Sequence, residues 1–380
     1  VKIVSVMTGA ARGGAEFAAV ELLDALAGRG HEAVMLSDWG GIGRDTRVEV
    51  RELELGPKLS VRSWPALIVR WPLLRRRLRV ALEAEMPYDV LLLHYKKEQL
   101  LVPALPAQLR PRVAWAEWGP VPGQLARPPG RRLYAGAAKG VTSVFAISEG
   151  TRDSVIDAGV DAAKVVVLPN ALRTDRLGFD EQGRRRVREE LGIGEGKFVV
   201  GCTSRFHPKK RLDVLVDAVA RLDADTHLIL AGTGETEGEL RQRAQPLGRR
   251  AHFLPTPGDN PSELFSAFDV CAFCPSPTEG SPTSVILGML AARPCVSAGA
   301  EGVADLIEEG AGTIVSPEND PGAMATVLRE YAADPERVRR EGALAARRAG
   351  ERFDATAVAE RAERLLDEDS QLRAGGVGTR

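Results

Sequence analysis

Lysine is scarce in this 380-residue chain: nine lysines stand against 42 arginines. That bias reflects a GC-rich genome rather than a site. Excess charge is missing too, with 51 basic against 52 acidic residues and a formal net charge of −1. Such a balance excludes a protein whose main work is to neutralise a nucleic-acid backbone. No apolar run approaches the roughly 18 residues of a membrane-spanning helix. The opening stretch Val1 to Met7 is too short for an export signal and stops at Thr8-Gly9, so a cytoplasmic protein is expected. Histidine is sparse: His31, His94, His207, His227 and His252, with no pair at the i, i+4 spacing of a helical metal motif. Of the cysteines Cys202, Cys271, Cys274 and Cys295, only Cys271 and Cys274 have ligand spacing, and no second pair completes a tetrahedral site. They sit in a strand-like run, where an offset of three sends the sulfurs to opposite faces. Buried thiols are the expectation, and no metal.

What remains is ordinary globular material, 44 % hydrophobic and 27 % charged, long enough for two domains. Lys2 to Met7 alternates and is β-branched. A glycine turn with Gly9, Gly13 and Gly14 follows, then the helical period of Ala15 to Ala27, closed by Gly28-Arg29-Gly30, and a second strand, His31 to Ser37. This is a βαβ unit, the start of a parallel sheet. Further strands are expected at Asp89–His94, Arg112–Trp115, Val141–Ile147 and Val165–Leu168, with a Pro-Gly-rich loop from Gly119 to Gly130. The charged stretch Thr174 to Glu190 marks a domain boundary. A second series begins at Phe198–Thr203 and continues at His227–Ala231, Ala251–Leu254, Val270–Phe273 and Pro294–Ser297, each followed by a helical run. The expected division is an N-terminal domain 1–172, a C-terminal domain 173–354, and a helix with a frayed tail at 355–380.

Leu67, Trp71, Leu74, Leu78 and Leu82 form a narrow stripe at ~100° per residue, with Arg75, Arg76, Arg77 and Arg79 off it. This reads as an amphipathic helix with a solvated arginine face. The sharper reading is a contact with an anionic surface, of a membrane or of an acidic acceptor.

Three segments could carry chemistry. Arg205-Phe206-His207-Pro208-Lys209-Lys210 follows the strand ending near Thr203, and ligands of parallel α/β sheets bind beyond the carboxyl ends of strands. Arg205 offers a planar fork and Lys210 a point charge, a pair suited to a diphosphate. A solvated basic turn is the plain alternative. Pro275 to Ser284 again follows a buried strand and leads into a helix, whose first amides suit an anion. Glu279 there can accept from sugar hydroxyls, or it and Ser281 merely cap the helix. Gly13-Gly14-Ala15-Glu16 lets a ligand approach the backbone closely.

In this order the segments resemble family 4 of the retaining glycosyltransferases, and the likeness runs over nearly the whole chain. It is carried by Gly13-Gly-Ala-Glu16, Ala27-Gly-Arg-Gly-His-Glu-Ala-Val34, Phe145-Ala-Ile-Ser-Glu149, Val167-Leu-Pro-Asn170, Ser204-Arg205 with Lys210, Leu230-Ala-Gly-Thr-Gly234 and Glu279-Gly-Ser-Pro-Thr-Ser-Val-Ile286. The resemblance implies the GT-B fold: two Rossmann-like, doubly wound parallel-sheet domains facing a cleft, with a C-terminal helix crossing back. It implies transfer of a sugar from a nucleotide-diphosphate donor, UDP-linked by preference, to a small-molecule, lipid or glycan acceptor, without a metal or other cofactor. By position, Arg205, Lys210 and Glu279 would be catalytic. Gly14, Gly232, Gly234, Thr256, Gly280, Ser281, Pro282, Thr283, Ser284 and Leu287 would meet the donor, and Gly13, Glu117 and Trp118 the acceptor and sugar. Peripheral membrane contact would run through Arg75, Arg76 and Arg79.

Two positions depart from the family pattern. Leu287 stands where a second glutamate usually holds the ribose hydroxyls. Trp118 stands where many members carry a histidine after the fourth strand, with Glu117 beside it. These departures motivate an alternative, a degenerate member of the fold that binds a ligand or partner without efficient transfer. A nicotinamide enzyme is a weaker alternative, because Gly9-Ala-Ala-Arg-Gly13-Gly14 lacks the Gly-x-Gly-x-x-Gly spacing, although Asp38 lies near the end of the second strand.

Overall fold

The computed structural model describes residues 1–9, 13–39, 46–60, 63–258, 260–275, 282–299, 301–307 and 310–375. The chain forms two compact units, Val1–Leu172 with Phe353–Arg380, and Arg173–Arg352. In the first, seven strands form one sheet: β1 (Lys2–Val6), β2 (Glu32–Ser37), β3 (Glu49–Glu52), β4 (Val90–Leu93), β5 (Val113–Glu117), β6 (Ser143–Ala146) and β7 (Val165–Val167). Their order is β3-β2-β1-β4-β5-β6-β7, with every pairing parallel. The second holds β8 (Phe198–Thr203), β9 (Thr226–Ala231), β10 (Ala251–Leu254), β11 (Val270–Phe273), β12 (Cys295–Ala298) and β13 (Gly312–Val315). They run β10-β9-β8-β11-β12-β13, again all parallel. Both orders are those of a Rossmann-like sheet.

Alternation along each strand assigns the two faces of the first sheet. Val4, Val6, Leu91 and Leu93 pack on one side with Leu67, Leu74, Leu78 and Leu82, the buried stripe of the helix Trp64–Ala84. Fully burying each such leucine contributes about 1.5–3 kcal/mol, which suffices to hold this arginine-rich helix on the sheet. Trp71 is half-buried, and Arg75, Arg76 and Arg79 are exposed. On the other side Ile3, Val90 and Leu92 pack with Leu22 and Leu23 of the helix Gly14–Gly28 and with Ala359 and Ala362 of the helix Ala355–Gly375. That last helix begins where Leu172 and Asp354 form a parallel bridge, and Arg29 holds it through Glu360 (2.9 Å) and Glu363 (2.6 Å).

Two strands escape the hydrophobic pattern. β3 is Glu-Val-Arg-Glu at the sheet edge, where one face is wet and charge is tolerated. β13 is likewise an edge strand and starts on a glycine. A short helix, Gly123–Ala126, lies inside the Pro-Gly-rich loop, and the C-terminal helix runs past Asp367 to Gly375. The end of the tail, 376–380, lies outside the described residues.

Candidate functional site

In each sheet the strand order reverses at one place, between β1 and β4 and between β8 and β11. Loops diverge there and leave a crevice beyond the carboxyl ends of the strands. At the β8/β11 reversal the second unit has a small open pocket, lined by Ser204, Lys210, Phe273, Pro275, Pro282 and Ser284 among others. Lys210 closes the turn Pro208–Lys210, and Arg211 after it holds φ 45°, a left-handed conformation unusual for a side-chain-bearing residue. Such strain clusters at ligand sites. Arg205 is exposed on the same turn. His207 Nδ1 accepts from the Lys209 amide at 3.1 Å; burial, then Arg205, lowers its pKa. The helix Thr283–Leu290 starts at the pocket with Pro282 as its N-cap, a residue with no side chain to accept from the first-turn amides. The end of a helix dipole and a lysine therefore share one pocket, an arrangement suited to an anion.

Gly232 and Gly234 act at one remove. A Cβ on Gly232 (φ 149°) would lie 1.9 Å from the Ser204 carbonyl oxygen, and one on Gly234 (φ 157°) 2.2 Å from that of Phe206. The Phe206 amide donates to the Thr233 carbonyl at 2.9 Å. The glycines thus let their loop press against the turn that carries Arg205. Thr256 is exposed beyond β10; Thr283 is buried in the first helical turn. Leu287 is half-buried one turn past Ser284 and is not among the residues lining the pocket. Glu279, Gly280 and Ser281 lie outside the described residues. The cysteines Cys202 and Cys274 line the pocket floor, and burial raises both thiol pKa values.

At the β1/β4 reversal the first unit is tied by buried polar groups. The Thr8 amide donates to Glu98 Oε1 at 3.0 Å, and the Lys97 ammonium donates to the carbonyls of Thr8 and Pro57, each at 3.3 Å. Burial lowers the Lys97 pKa and raises that of Glu98. Gly13 is the N-cap of the helix Gly14–Gly28; its amide donates to Glu16 at 2.9 Å, and Lys58 pairs with Glu16 at 2.7 Å.

Glu117 and Trp118, neighbours in sequence, part company. The buried Glu117 carboxylate pairs with Lys96 and accepts from Gln99 Nε2 (3.0 Å) and Tyr134 (2.8 Å). Trp118 packs on the opposite face, and its indole N–H donates to His94 Nδ1 at 3.2 Å. Indole only donates, so the His94 proton sits on Nε2 and is given to Ser5 Oγ at 2.7 Å. Burial lowers the His94 pKa to about 3, so the ring stays neutral. The strand before Trp118 is the fifth in chain order, because β3 adds one; the fourth, β4, leads into His94. The sequence pattern missed His94, Lys96, Lys97 and Glu98. A usable signal was present: two of the rare lysines adjoin just past a fully apolar strand, with only His94 and Tyr95 between. Among the described residues no three His, Cys, Asp or Glu side chains converge to hold a metal ion.

Comparison with known proteins gives two family matches: Glycosyltransferase Family 4 over residues 12–176 and Glycosyl transferases group 1 over residues 197–334. Among curated relatives, a GDP-mannose-dependent alpha-(1-6)-phosphatidylinositol monomannoside mannosyltransferase of Mycolicibacterium smegmatis is 34 % identical over 50 % of this chain and 53 % of its own. A D-inositol 3-phosphate glycosyltransferase of Geodermatophilus obscurus is 29 % identical over 47 % and 42 %. The chain thus spans about half the length of the curated relatives it matches. Among solved structures, Anabaena HepE in complex with UDP and glucose aligns with TM-score 0.80 at 20 % identity, covering 97 % of this chain and 99 % of that one. Sucrose-phosphate synthase from Thermosynechococcus elongatus aligns with TM-score 0.81 at 18 % identity, covering 98 % and 99 %.

Proposed function

The chain belongs to glycosyltransferase family 4 and has the GT-B fold, and from that premise we propose that it transfers a sugar, with retention at the anomeric carbon, from a nucleotide-diphosphate donor to a hydroxyl acceptor. The observation that carries this reading is the pocket at the β8/β11 reversal, where Lys210 and the start of the helix Thr283–Leu290 meet. A departing nucleoside diphosphate gathers negative charge in the transition state. Arg205, Lys210 and the first helical amides would stabilise that charge, a fixed arrangement that needs no reorganisation as the bond breaks. The acceptor attacks on the face the diphosphate leaves, and a phosphate oxygen takes its proton, so no protein nucleophile is required. Glu279 would accept from the donor sugar's hydroxyls.

For the donor we retain a UDP-sugar, supported by the Anabaena protein crystallised with UDP and glucose; the mycobacterial relative's GDP-mannose is the competing donor. The relatives' inositol-based acceptors favour a polar-headed acceptor, and a lipid-linked one agrees with the helix Trp64–Ala84. That helix exposes Ile68, Val69, Leu73 and Val80 beside Arg75, Arg76 and Arg79, a surface of the kind that lies on anionic bilayers. Among the described residues no helix is long and apolar enough to cross a membrane.

The test is calorimetric titration with UDP and GDP, followed by turnover against a donor panel. Arg205→Ala and Lys210→Ala should each retain the native melting transition and lose about 10²–10³-fold in turnover, the scale of one oxyanion donor. Near-native rates in either variant overturn the assignment. Tight nucleotide binding without turnover of any donor favours the degenerate reading, which the half-buried Leu287 supports.

A further inference from the structure

We infer that Lys97 is a positioning residue: its buried ammonium clasps together the chain leaving β1 at Thr8 and the segment Gly56–Lys58 after β3, at the first unit's β1/β4 crevice. The inference rests on the transfer reading, in which Gly13 meets the acceptor, and it gives Lys97 a part that no motif assigned. Lys97 has no exposed surface and stands on the helix Lys96–Leu101, which follows β4. Its Nζ donates to the Thr8 and Pro57 carbonyls, each at 3.3 Å, and to that of Gly56. An ammonium has three N–H groups, so these bonds use them all. All three partners are neutral. Glu98 and Asp38 favour the charge through space, against burial. An ammonium buried on neutral partners is costly. A lysine kept in that state at a topological switch point is a candidate for function rather than core filler.

The three carbonyls belong to both segments. Thr8 follows β1 and leads toward Gly13, the N-cap of the helix Gly14–Gly28. Gly56, at φ 73°, and Pro57 lead to Lys58. Lys58 pairs with Glu16 at 2.7 Å, and Glu16 accepts from the Gly13 amide at 2.9 Å. The segments also touch directly, since a Cβ on Gly9 would lie 2.5 Å from Lys58 Cε. One cation therefore joins them from inside, where water cannot replace its bonds, and Lys58, 45 % exposed, joins them from outside. The inner joint needs a compact charge. A lysine ammonium turns its three donors to converging carbonyls, whereas the flat fork of arginine spreads its donors in a plane. Methionine keeps the bulk and leaves the three carbonyls unpaired.

Amide hydrogen exchange on the full chain tests this, with Lys97→Met and Lys97→Ala beside the native protein. In Lys97→Met the amides of Thr8, Gly9, Gly13 and Lys58 should exchange at least about tenfold faster, the worth of one hydrogen bond to a charged group, while β4 and β5 keep native protection. Turnover against the donor panel should fall at least about tenfold with the displaced segments. UDP affinity, read in the other unit, should change by less than about twofold. Lys97→Ala leaves room for n-propylammonium, which should restore the protection, whereas propanol, of the same length and without the charge, should not. If Lys97→Met does not fold, the comparison of the two additives on Lys97→Ala decides alone. The inference falls if exchange rises evenly over the unit or stays native at the four amides. It also falls if turnover survives their loosening, if propanol serves as well as propylammonium, or if neither restores Lys97→Ala. A native chain that turns over no donor removes the transfer reading, and the exchange data still judge the clasp.

Discussion

Replacing Glu117 by Gln should damage the first unit far more than a conservative swap suggests. The carboxylate receives Lys96, Gln99 Nε2 and the Tyr134 hydroxyl while only 3 % of its side chain is exposed. Glutamine presents one acceptor and one amino group to these donors and leaves Lys96, 12 % exposed, without its counter-charge. Breaking a buried pair from one side costs about 3–5 kcal/mol, and the oxygen that glutamine retains points to the low end. A loss of about 3 kcal/mol lowers the midpoint of a unit this size by about 6–12 °C. Burial already lowers the Lys96 pKa, with Glu117 opposing, so the variant lowers it further. Between that folded value and the ordinary lysine value near 10.4 the unfolded chain binds more protons, so stability must rise with pH there. The deficit of Glu117→Gln should therefore shrink as pH rises through the lowered folded-state pKa of Lys96. Calorimetric melts of both proteins over about pH 7–10 measure this directly. A deficit below about 1 kcal/mol, or one that grows as pH rises, refutes the buried-pair reasoning.

Leu287→Glu should strengthen UDP binding by about 1–2 kcal/mol if the ribose lies against the helix Thr283–Leu290, and the gain should vanish with a nucleotide lacking both ribose hydroxyls; unchanged calorimetric affinity would place the ribose elsewhere. Gly232→Ala forces a Cβ to within 1.9 Å of the Ser204 carbonyl oxygen; backbone strain alone costs about 1–3 kcal/mol, and UDP affinity should fall with it as the Arg205 turn shifts. A melt and an isotherm near native would show that the two loops do not depend on each other. Glu279→Gln should raise the donor KM at an almost unchanged thermal midpoint, because an amide splits its capacity between donating and accepting; a lower midpoint with native kinetics would make Glu279 a helix cap.

Local pattern in the sequence carried much of the architecture. The apolar runs of β1, β8, β9 and β11 and the leucine stripe of the helix Trp64–Ala84 answer to short-range rules of buried-strand composition and 3.6-residue period, which the structure keeps. The place of Arg205 and Lys210 on a turn after β8 was legible for the same reason, and a basic turn there falls at the edge where parallel sheets take ligands. Edge strands such as β3 were not, because a half-wet strand need not be hydrophobic. Nor was the division of labour between Glu117 and Trp118. Sequence adjacency suggested one site, whereas alternation at the end of β5 sends one side chain to Lys96 and the other to His94. Partners 17 to 24 residues away decide both environments. Periodicity records which face a residue takes, but only the packed sheet determines which polar groups meet there and which remain without a partner.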